Sequence, residues 1–103
     1  MADGKCGDFT YEVVDGKVVV TGYEGDSKEP AIPAEMDGMP VTAIRGKAFY
    51  GDGLTGITIP ASVTAIGAWA FRKNLFAKVR VPASVVTLGL KVFDDHVEMT
   101  RFS

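Results

Sequence analysis

The residues best suited to chemistry lie near the C-terminus. Asp94, Asp95 and His96 follow one another, and Glu98 lies close behind them. Carboxylates and an imidazole can together ligate a metal ion. The same residues are also typical of a solvated turn, which suits their position after an apolar stretch. We favour the turn, so the sequence predicts neither a metal site nor a cofactor.

A nucleophilic cysteine is the second candidate. Cys6 is the only cysteine and His96 the only histidine. An activated thiolate needs an imidazole beside it, yet these two residues lie near opposite ends of the chain. A single cysteine also rules out a disulfide within the chain, a CxxC pair and a structural zinc site built on several cysteines. We therefore expect a partly buried free thiol without a catalytic role.

Paired carboxylates are the third candidate. Asp37 and Asp52 could be imagined as a glycosidase pair, but both occur in glycine-rich segments that explain them as turn residues. No Ser-His-Asp set stands out, and GxGxxG, P-loop and HExxH patterns are absent from the sequence. The sequence thus predicts no catalytic residues and no enzyme. A small metal-binding protein or hydrolase is the least favoured alternative.

Composition limits the remaining classes. The chain has 103 residues, 47% of them hydrophobic and 23% charged, with a net charge of −2. These values are ordinary for one folded domain, and the scattered Lys and Arg residues argue against nucleic-acid binding. No apolar run is long enough to insert into a membrane, and the start MADGKCGDF lacks a signal-peptide core. A domain excised from a secreted protein would look the same. We expect a monomer.

A β-hairpin is predicted near the N-terminus. Residues 9–23 read FTYEVVDGKVVVTGY, two β-prone runs around Asp15-Gly16. This pair favours a two-residue type I′ turn, which would place Val13 opposite Val18. A hairpin alone is marginally stable in water, so it must pack on something. Residues 1–28 are interpreted as an N-terminal hairpin cap.

The rest of the chain repeats itself. Phe49, Phe71 and Phe93 lie 22 residues apart. A looser copy begins at Ile32, with the five residues MDGMP inserted. A period near 22 is typical of solenoids. We therefore predict one continuous domain, with about three repeats and a short C-terminal capping strand in residues 29–103. The same step recurs at Ile44, Ile66 and Leu88, and at Pro60 and Pro82.

The sequence of each repeat predicts short strands and turns. In residues 57–59 the alternation directs Ile57 and Ile59 to the core and Thr58 to solvent. Ala68–Phe71 is too short for a stable α-helix, so a single helical or 3₁₀ turn is expected there. The predicted fold is an α/β repeat solenoid of the leucine-rich-repeat type, with short parallel strands and short helical or 3₁₀ turns, capped by the hairpin.

These repeats resemble a known family. The segments IPAEMDGMPVTAIRGKAF, LTGITIPASVTAIGAWAF and VRVPASVVTLGLKVF are similar to BspA-like leucine-rich repeats, also called the Treponema pallidum type. The resemblance runs from Gly4 to Phe93. Two departures are Arg45, where the family usually has glycine, and Asn74, the only asparagine, so the asparagine ladder of other leucine-rich repeats is missing. The resemblance implies a bacterial cell-surface or secreted protein with protein partners, host extracellular-matrix or cell-envelope proteins among them.

Outward strand positions are the candidate contact surface. Thr58, Lys78 and Arg80 would form a polar, mildly basic strip of the kind on which solenoids bind partners. Trp69 is a further candidate because tryptophan is favoured in binding hot spots, although burial between repeats explains it equally well. We predict a non-enzymatic protein–protein interaction module, with adhesion to host proteins as one use. The alternative is a structural cap or spacer without its own ligand.

Overall fold

The computed structural model describes residues 2–102, in which nine strands and no helix occur. Most strands are short, and three have only two residues. The strands are β1 Ala2–Cys6, β2 Phe9–Val14, β3 Lys17–Tyr23, β4 Glu35–Met36, β5 Met39–Ile44, β6 Ala65–Ile66, β7 Lys78–Pro82, β8 Thr87–Leu88 and β9 Glu98–Phe102.

The strands form a larger and a smaller sheet. The larger sheet has seven strands, six of them in the order β1-β2-β3-β5-β6-β8, with β4 paired to β5. Its first three strands are antiparallel, whereas β3, β5, β6 and β8 run parallel. The smaller sheet is the parallel pair β7-β9. We call the repeat copies the first, second and third coils: residues 29–53, 54–75 and 76–97.

The hairpin of β2 and β3 has the expected register, with Val13 opposite Val18. Asp15 and Gly16 have φ angles of 52° and 76°, as a type I′ turn requires. The unexpected element is β1, which pairs with β2 and makes the N-terminal unit three-stranded. Its sequence has no β-branched or aromatic residue, so this strand forms through pairing rather than through its own propensity.

The repeat phase is confirmed in the core. Ile44 pairs with Ile66, and Ile66 with Leu88, each one coil further on. The Phe71 ring has no exposed surface. It stacks on Phe49 at 5.0 Å and on Phe93 at 5.4 Å between ring centroids. The central coil therefore buries its phenylalanine between the two flanking ones, as the 22-residue spacing predicts.

The predicted helical or 3₁₀ turns are wrong. Lys47, Trp69 and Lys91 occupy the same repeat position, and all three have left-handed φ angles, of 64°, 65° and 51°. One left-handed residue in the middle of the segment prevents a right-handed helical turn. The backbone instead forms successive tight turns, in which Ala70 N–H donates to Gly67 C=O at 3.3 Å. Phe71 N–H donates to Val92 C=O of the next coil at 2.9 Å.

Close backbone contact explains the glycines beside these turns. A Cβ atom on Gly67 would lie 2.4 Å from Gly46 N, and one on Gly89 would lie 2.3 Å from Ala68 N. Arg45 is tolerated at the equivalent first-coil position because its neighbour is a strand rather than another turn. Its N–H donates to Val20 C=O at 2.8 Å, and its guanidinium forms an ion pair with Glu12.

The strand expected at residues 57–59 is reduced to one bridge, between Thr58 and Ala31. The alternation of burial is nevertheless as predicted, because Ile59 is buried, Ile57 is half-buried and Thr58 is exposed. The inserted MDGMP is a turn, in which Asp37 and its following glycine connect β4 to β5.

Candidate partner-binding cleft

A cleft of about 360 Å³ lies between the second and third coils. One wall is the segment 55–59, and the other is the start of β7, residues 78–80. Glu29 of the first coil closes the side next to Gly56, where a Cβ atom would lie 3.2 Å from Glu29 Cγ. The cleft therefore lies where two successive coils face each other.

The cleft exists because its two walls do not pair with each other. The second-coil wall pairs with the first coil, and β7 pairs with β9. Thr58 N–H donates to Pro30 C=O at 3.1 Å, and Ile32 N–H donates to Thr58 C=O at 3.0 Å. The other wall, β7, pairs along all five of its residues with β9. The repeat step would place Thr58 beside Arg80, but no strand pairing joins them in residues 2–102.

The cleft has an apolar floor and a polar rim. Ile59 and Val79 are each only 3% exposed, whereas Thr58, Lys78 and Arg80 are exposed. The rim carries two cationic side chains on the β7 wall. Two carboxylates are near them, because Glu29 lines the opposite wall and Glu98 of β9 is in register with Lys78. Ile59 and Val79 close the base of the cleft and leave little apolar surface there, so a partner would be contacted mainly by the polar and charged side chains of the rim.

Three of the four residues predicted to contact a partner meet in this cleft, namely Thr58, Lys78 and Arg80. Glu29 was missed by the sequence reasoning. The signal for it was present, because the first coil is offset from the second by 27 residues, the spacing of Ile32 and Ile59. Applied to Glu29, this offset gives residue 56, beside which the Glu29 side chain lies.

Trp69 is not a lining residue of the cleft. Its half-buried ring stacks on Tyr50 at 6.0 Å between ring centroids. Lys47 Nζ and Arg72 Cζ lie 5.4 and 5.8 Å from the centre of the indole. Cations at these distances are attracted to the ring face. The packing of Trp69 between coils is thus explained without a partner.

The acidic cluster after the third coil has structural contacts. Asp94 accepts hydrogen bonds from the N–H groups of Lys73, at 2.9 Å, and Asn74, at 3.3 Å. Arg72 lies within ion-pair distance of both Asp94, at 3.9 Å, and Asp95, at 3.8 Å. His96 is exposed. Among the described residues, no group of three or more His, Cys, Asp or Glu side chains is placed to hold a metal ion.

The other chemical candidates are separated by the fold. The Tyr11 hydroxyl donates to Asp37, and this hydrogen bond raises the pKa of Tyr11. Burial raises the pKa of Asp52, an effect that the charge of Lys28 partly offsets. Cys6 lies half-buried in β1, at the far end of the larger sheet from β8. These side chains do not combine into a reactive site.

Asn74 is a buried structural residue, only 5% exposed. Its Nδ2 donates to Phe49 C=O at 2.8 Å and to Phe71 C=O at 2.9 Å. Its Oδ1 accepts from Leu54 N–H at 2.9 Å. The side chain satisfies backbone groups of two coils directly before the wall of the cleft begins. This one asparagine stands where other leucine-rich repeats have a ladder of asparagines.

The parallel coils, the phenylalanine stack and the 22-residue step define a leucine-rich-repeat fold. The family model of the BspA type leucine rich repeat region (6 copies) matches residues 39–103, more than half of the chain. The chain therefore belongs to this family, and no catalytic family is indicated. The comparison with curated proteins finds no match. The described residues contain no helix long and apolar enough to cross a membrane.

Three solved structures share the fold. A leucine rich cell surface protein from Faecalibacterium prausnitzii matches 98% of this chain, with 23% identity and a TM-score of 0.83. A leucine-rich repeat protein from Bacteroides capillosus matches 96%, with 26% identity and a TM-score of 0.70. The T. pallidum leucine-rich repeat protein matches 97%, with 22% identity and a TM-score of 0.63. The present chain spans 32%, 99% and 64% of these proteins, respectively.

Proposed function

We propose that this chain is a non-enzymatic protein-binding module of a bacterial cell-surface or secreted leucine-rich-repeat protein, and that its partner is bound at the cleft. Thr58, Lys78 and Arg80 are the proposed contact residues. The observation that carries the proposal is their convergence on the rim of one cleft, above the buried side chains of Ile59 and Val79. Family membership and a fold shared with a cell surface protein support the setting.

The partner class proposed is a host extracellular-matrix or envelope protein, and adhesion is the proposed use. The coils are proposed to form a short, monomeric solenoid. Residues 1–28 would cap its first coil, because β3 pairs with β5 along the edge that the repeats would otherwise leave bare. The strand β9 would cap the other end through its pairing with β7.

The experiment is a pull-down of extracellular-matrix and envelope proteins on the intact chain, repeated with two charge-reversal variants. Lys78→Glu alters the cleft, and Lys17→Glu is the matched control, an exposed lysine at the turn of the β2-β3 hairpin. The proposal predicts that Lys78→Glu abolishes capture of the bound protein and Lys17→Glu does not. Equal capture by both variants would contradict it.

A structural cap or spacer without a ligand is the second candidate function. It is favoured by the Trp69 cluster, where a residue typical of hot spots is occupied by internal stacking with Tyr50. Grafting this chain between two folded domains separates the candidates. A spacer would hold the two domains apart and capture nothing. A binding module would capture the same protein in the graft as it does alone.

A further inference from the structure

The third coil has a strand edge without a neighbour. Among the described strands, β8 pairs only with β6. Ile66 C=O accepts a hydrogen bond from Gly89 N–H at 2.8 Å, and Ile44 C=O accepts the equivalent bond one coil earlier. Leu88 is in register with Ile66 in the same ladder. The carbonyl of Leu88 therefore faces away from the second coil, toward the open side.

The turn after β8 is open in the same way. The N–H groups of Trp69 and Phe71 donate to carbonyls of the third coil, at 3.1 and 2.9 Å. The equivalent donors of the third coil are Lys91 N–H and Phe93 N–H, and neither has an acceptor within residues 2–102. The third coil thus repeats the bonding pattern that joins the coils before it, without a partner for that pattern in the described chain.

The side chains beside this edge are large and apolar. Val86 and Leu90 flank β8 and are 82% and 70% exposed. One period earlier, the second coil has Thr64 and Ala68 at these positions. Exposed apolar side chains that lie together rather than singly indicate a contact surface. The apolar surface therefore increases in the coil whose backbone is open.

Two rows of the core reach this coil with one side uncovered. Ile66 and Phe71 of the second coil are 1% and 0% exposed, whereas their equivalents Leu88 and Phe93 are half-buried. Phe93 stacks on Phe71 at 5.4 Å, and no second ring stacks on it within the described chain. In each coil the phenylalanine follows the aliphatic residue by five positions. A segment with this spacing would continue both rows at once.

We propose that the open side of the third coil binds a repeat segment of another leucine-rich-repeat protein, in the parallel arrangement that joins the coils of this chain. The internal junctions define this segment: an aliphatic residue, a glycine directly after it, and a phenylalanine four positions further on. The glycine is required because a Cβ atom on Gly67 would lie 2.4 Å from Gly46 N, and one on Gly89 would lie 2.3 Å from Ala68 N. The cleft is a different surface, which β7 lines.

A second copy of this chain offers no free segment for this arrangement. The incoming segment must use the side by which each coil bonds to the coil before it. In the first coil that side is occupied, because β5 pairs with β3 and Arg45 N–H donates to Val20 C=O at 2.8 Å. In the second and third coils it is occupied by the preceding coil. The occupant is therefore a repeat of a different chain.

The test is an NMR titration of the intact ¹⁵N-labelled chain with a synthetic peptide of residues 62–72, SVTAIGAWAFR, which carries the required spacing. We expect chemical-shift changes at the amides of Lys91 and Phe93, and little change at residues 57–59. The peptide with Gly67→Ala should bind at least about tenfold more weakly, because the added methyl group would overlap the backbone of the third coil. The peptide with Phe71→Ala should lose about as much, because it cannot extend the stack.

Variants of the chain locate the site independently of the peptide. Leu90→Asp introduces a charge beside the open edge and should weaken the parent peptide by about tenfold. Leu75→Asp is the matched control, because Leu75 is also 67% exposed and lies outside the larger sheet. We expect it to bind the peptide as the unmodified chain does. The amide spectra of both variants report whether the fold is retained.

Several outcomes would overturn the inference. Equal binding of the three peptides, or an equal loss in the two variants, would indicate unspecific apolar adhesion. Shift changes confined to other surfaces, or no binding, would also contradict it. Light scattering of the chain alone adds one more outcome, since a dimer that Leu90→Asp dissociates would assign this surface to a second copy instead. The dependence of partner capture on Lys78 tests the proposed function separately.

Discussion

The two sides of the repeat differ, although the same coils build both. In the larger sheet each coil bonds to the next, through Gly67 N–H to Ile44 C=O and Gly89 N–H to Ile66 C=O, both at 2.8 Å. On the other side, Thr58 pairs backward with Ala31 of the first coil and β7 pairs forward with β9, so an opening remains between them. One side of the repeat is a continuous ladder, and the other is interrupted.

This difference shows what a repeat spacing can and cannot specify. It specifies which residues are neighbours, and the phenylalanine stack follows from it. It does not specify whether neighbouring segments complete their hydrogen bonds. On the continuous side, coils approach so closely that a Cβ atom at Gly67 or Gly89 would overlap the preceding backbone. On the interrupted side, no strand pairing joins residues 57–59 to β7 within residues 2–102.

The largest expected effect comes from removing the start of the continuous sheet. Deletion of residues 1–28 removes β3, so that β5 becomes an edge and buried residues such as Val41 and Phe49 lose their cover. Bare sheet edges with an apolar face tend to aggregate. We expect a molten or poorly soluble fragment by light scattering and amide NMR dispersion. A monodisperse, well-dispersed fragment 29–103 would show that the coils fold without the cap.

The next effect concerns the core that both sheets share. Phe71→Ala should lower the free energy of unfolding by about 3–5 kcal/mol, because it empties a fully buried site. Phe93, which stacks on one phenylalanine and is only half-buried, is the matched control and should lose less. Urea denaturation of both variants measures the difference. A loss below about 1 kcal/mol for Phe71→Ala, the scale of a surface change, would contradict the stack.

Substitution of Asn74 tests the hydrogen bonds that join the coils just before the cleft. Asn74→Ala leaves the carbonyls of Phe49 and Phe71 and the N–H of Leu54 without their partner. A buried backbone group without a hydrogen-bond partner lowers the free energy of unfolding by roughly 1–3 kcal/mol. We expect a loss of that size in urea denaturation, with faster amide exchange at Leu54. Ser62→Ala, an outer side chain of the same coil with one long hydrogen bond, should change stability little.

Trp69 tests the left-handed turns on the continuous side. Replacement by alanine removes the indole and keeps a side chain in a conformation that costs roughly 1–2 kcal/mol, whereas glycine removes both. We therefore expect Trp69→Gly to be about 1 kcal/mol more stable than Trp69→Ala. The difference in their urea midpoints checks this order. The reverse order would show that the backbone at residue 69 is not left-handed in solution.

The smallest effect is a pH dependence at Asp52. Its buried Oδ2 has no hydrogen-bond partner among the described residues, and burial raises its pKa above the usual 3.8. The folded state therefore binds this proton more tightly, and stability falls as the pH rises through the range above 3.8. Asp52→Asn should thus stabilise the protein more at pH 7 than at pH 3. Equal effects at the two pH values would exclude this linkage.

Much of the fold could be predicted from the sequence because its signals are local or periodic. The Asp15-Gly16 pair fixes the hairpin register, and the phenylalanine spacing fixes the core. Three features could not be read in this way. β1 forms only through pairing with β2, Trp69 adopts a conformation that its residue type disfavours, and the cleft arises from pairing that the spacing would have completed. Each depends on tertiary contacts rather than on residue type.

The candidate site could be predicted in part for the same reason. Alternation along a strand identifies Thr58, Lys78 and Arg80 as outward positions, and they do line one cleft. Alternation does not reveal that the backbone between them is open. The contribution of Glu29 was hidden by the insertion in the first coil, which changes the step from 22 to 27.

Native-state amide hydrogen exchange reports whether the backbone groups of residues 57 and 59 face an open cleft. Thr58 N–H is bonded to Pro30 C=O and should exchange slowly, as should Gly67 N–H in the continuous ladder. Ile57 and Ile59 amides should exchange much faster, although the Ile59 side chain is buried. Slow exchange at residues 57, 58 and 59 alike would show that this segment pairs with β7 in solution and that the cleft is closed.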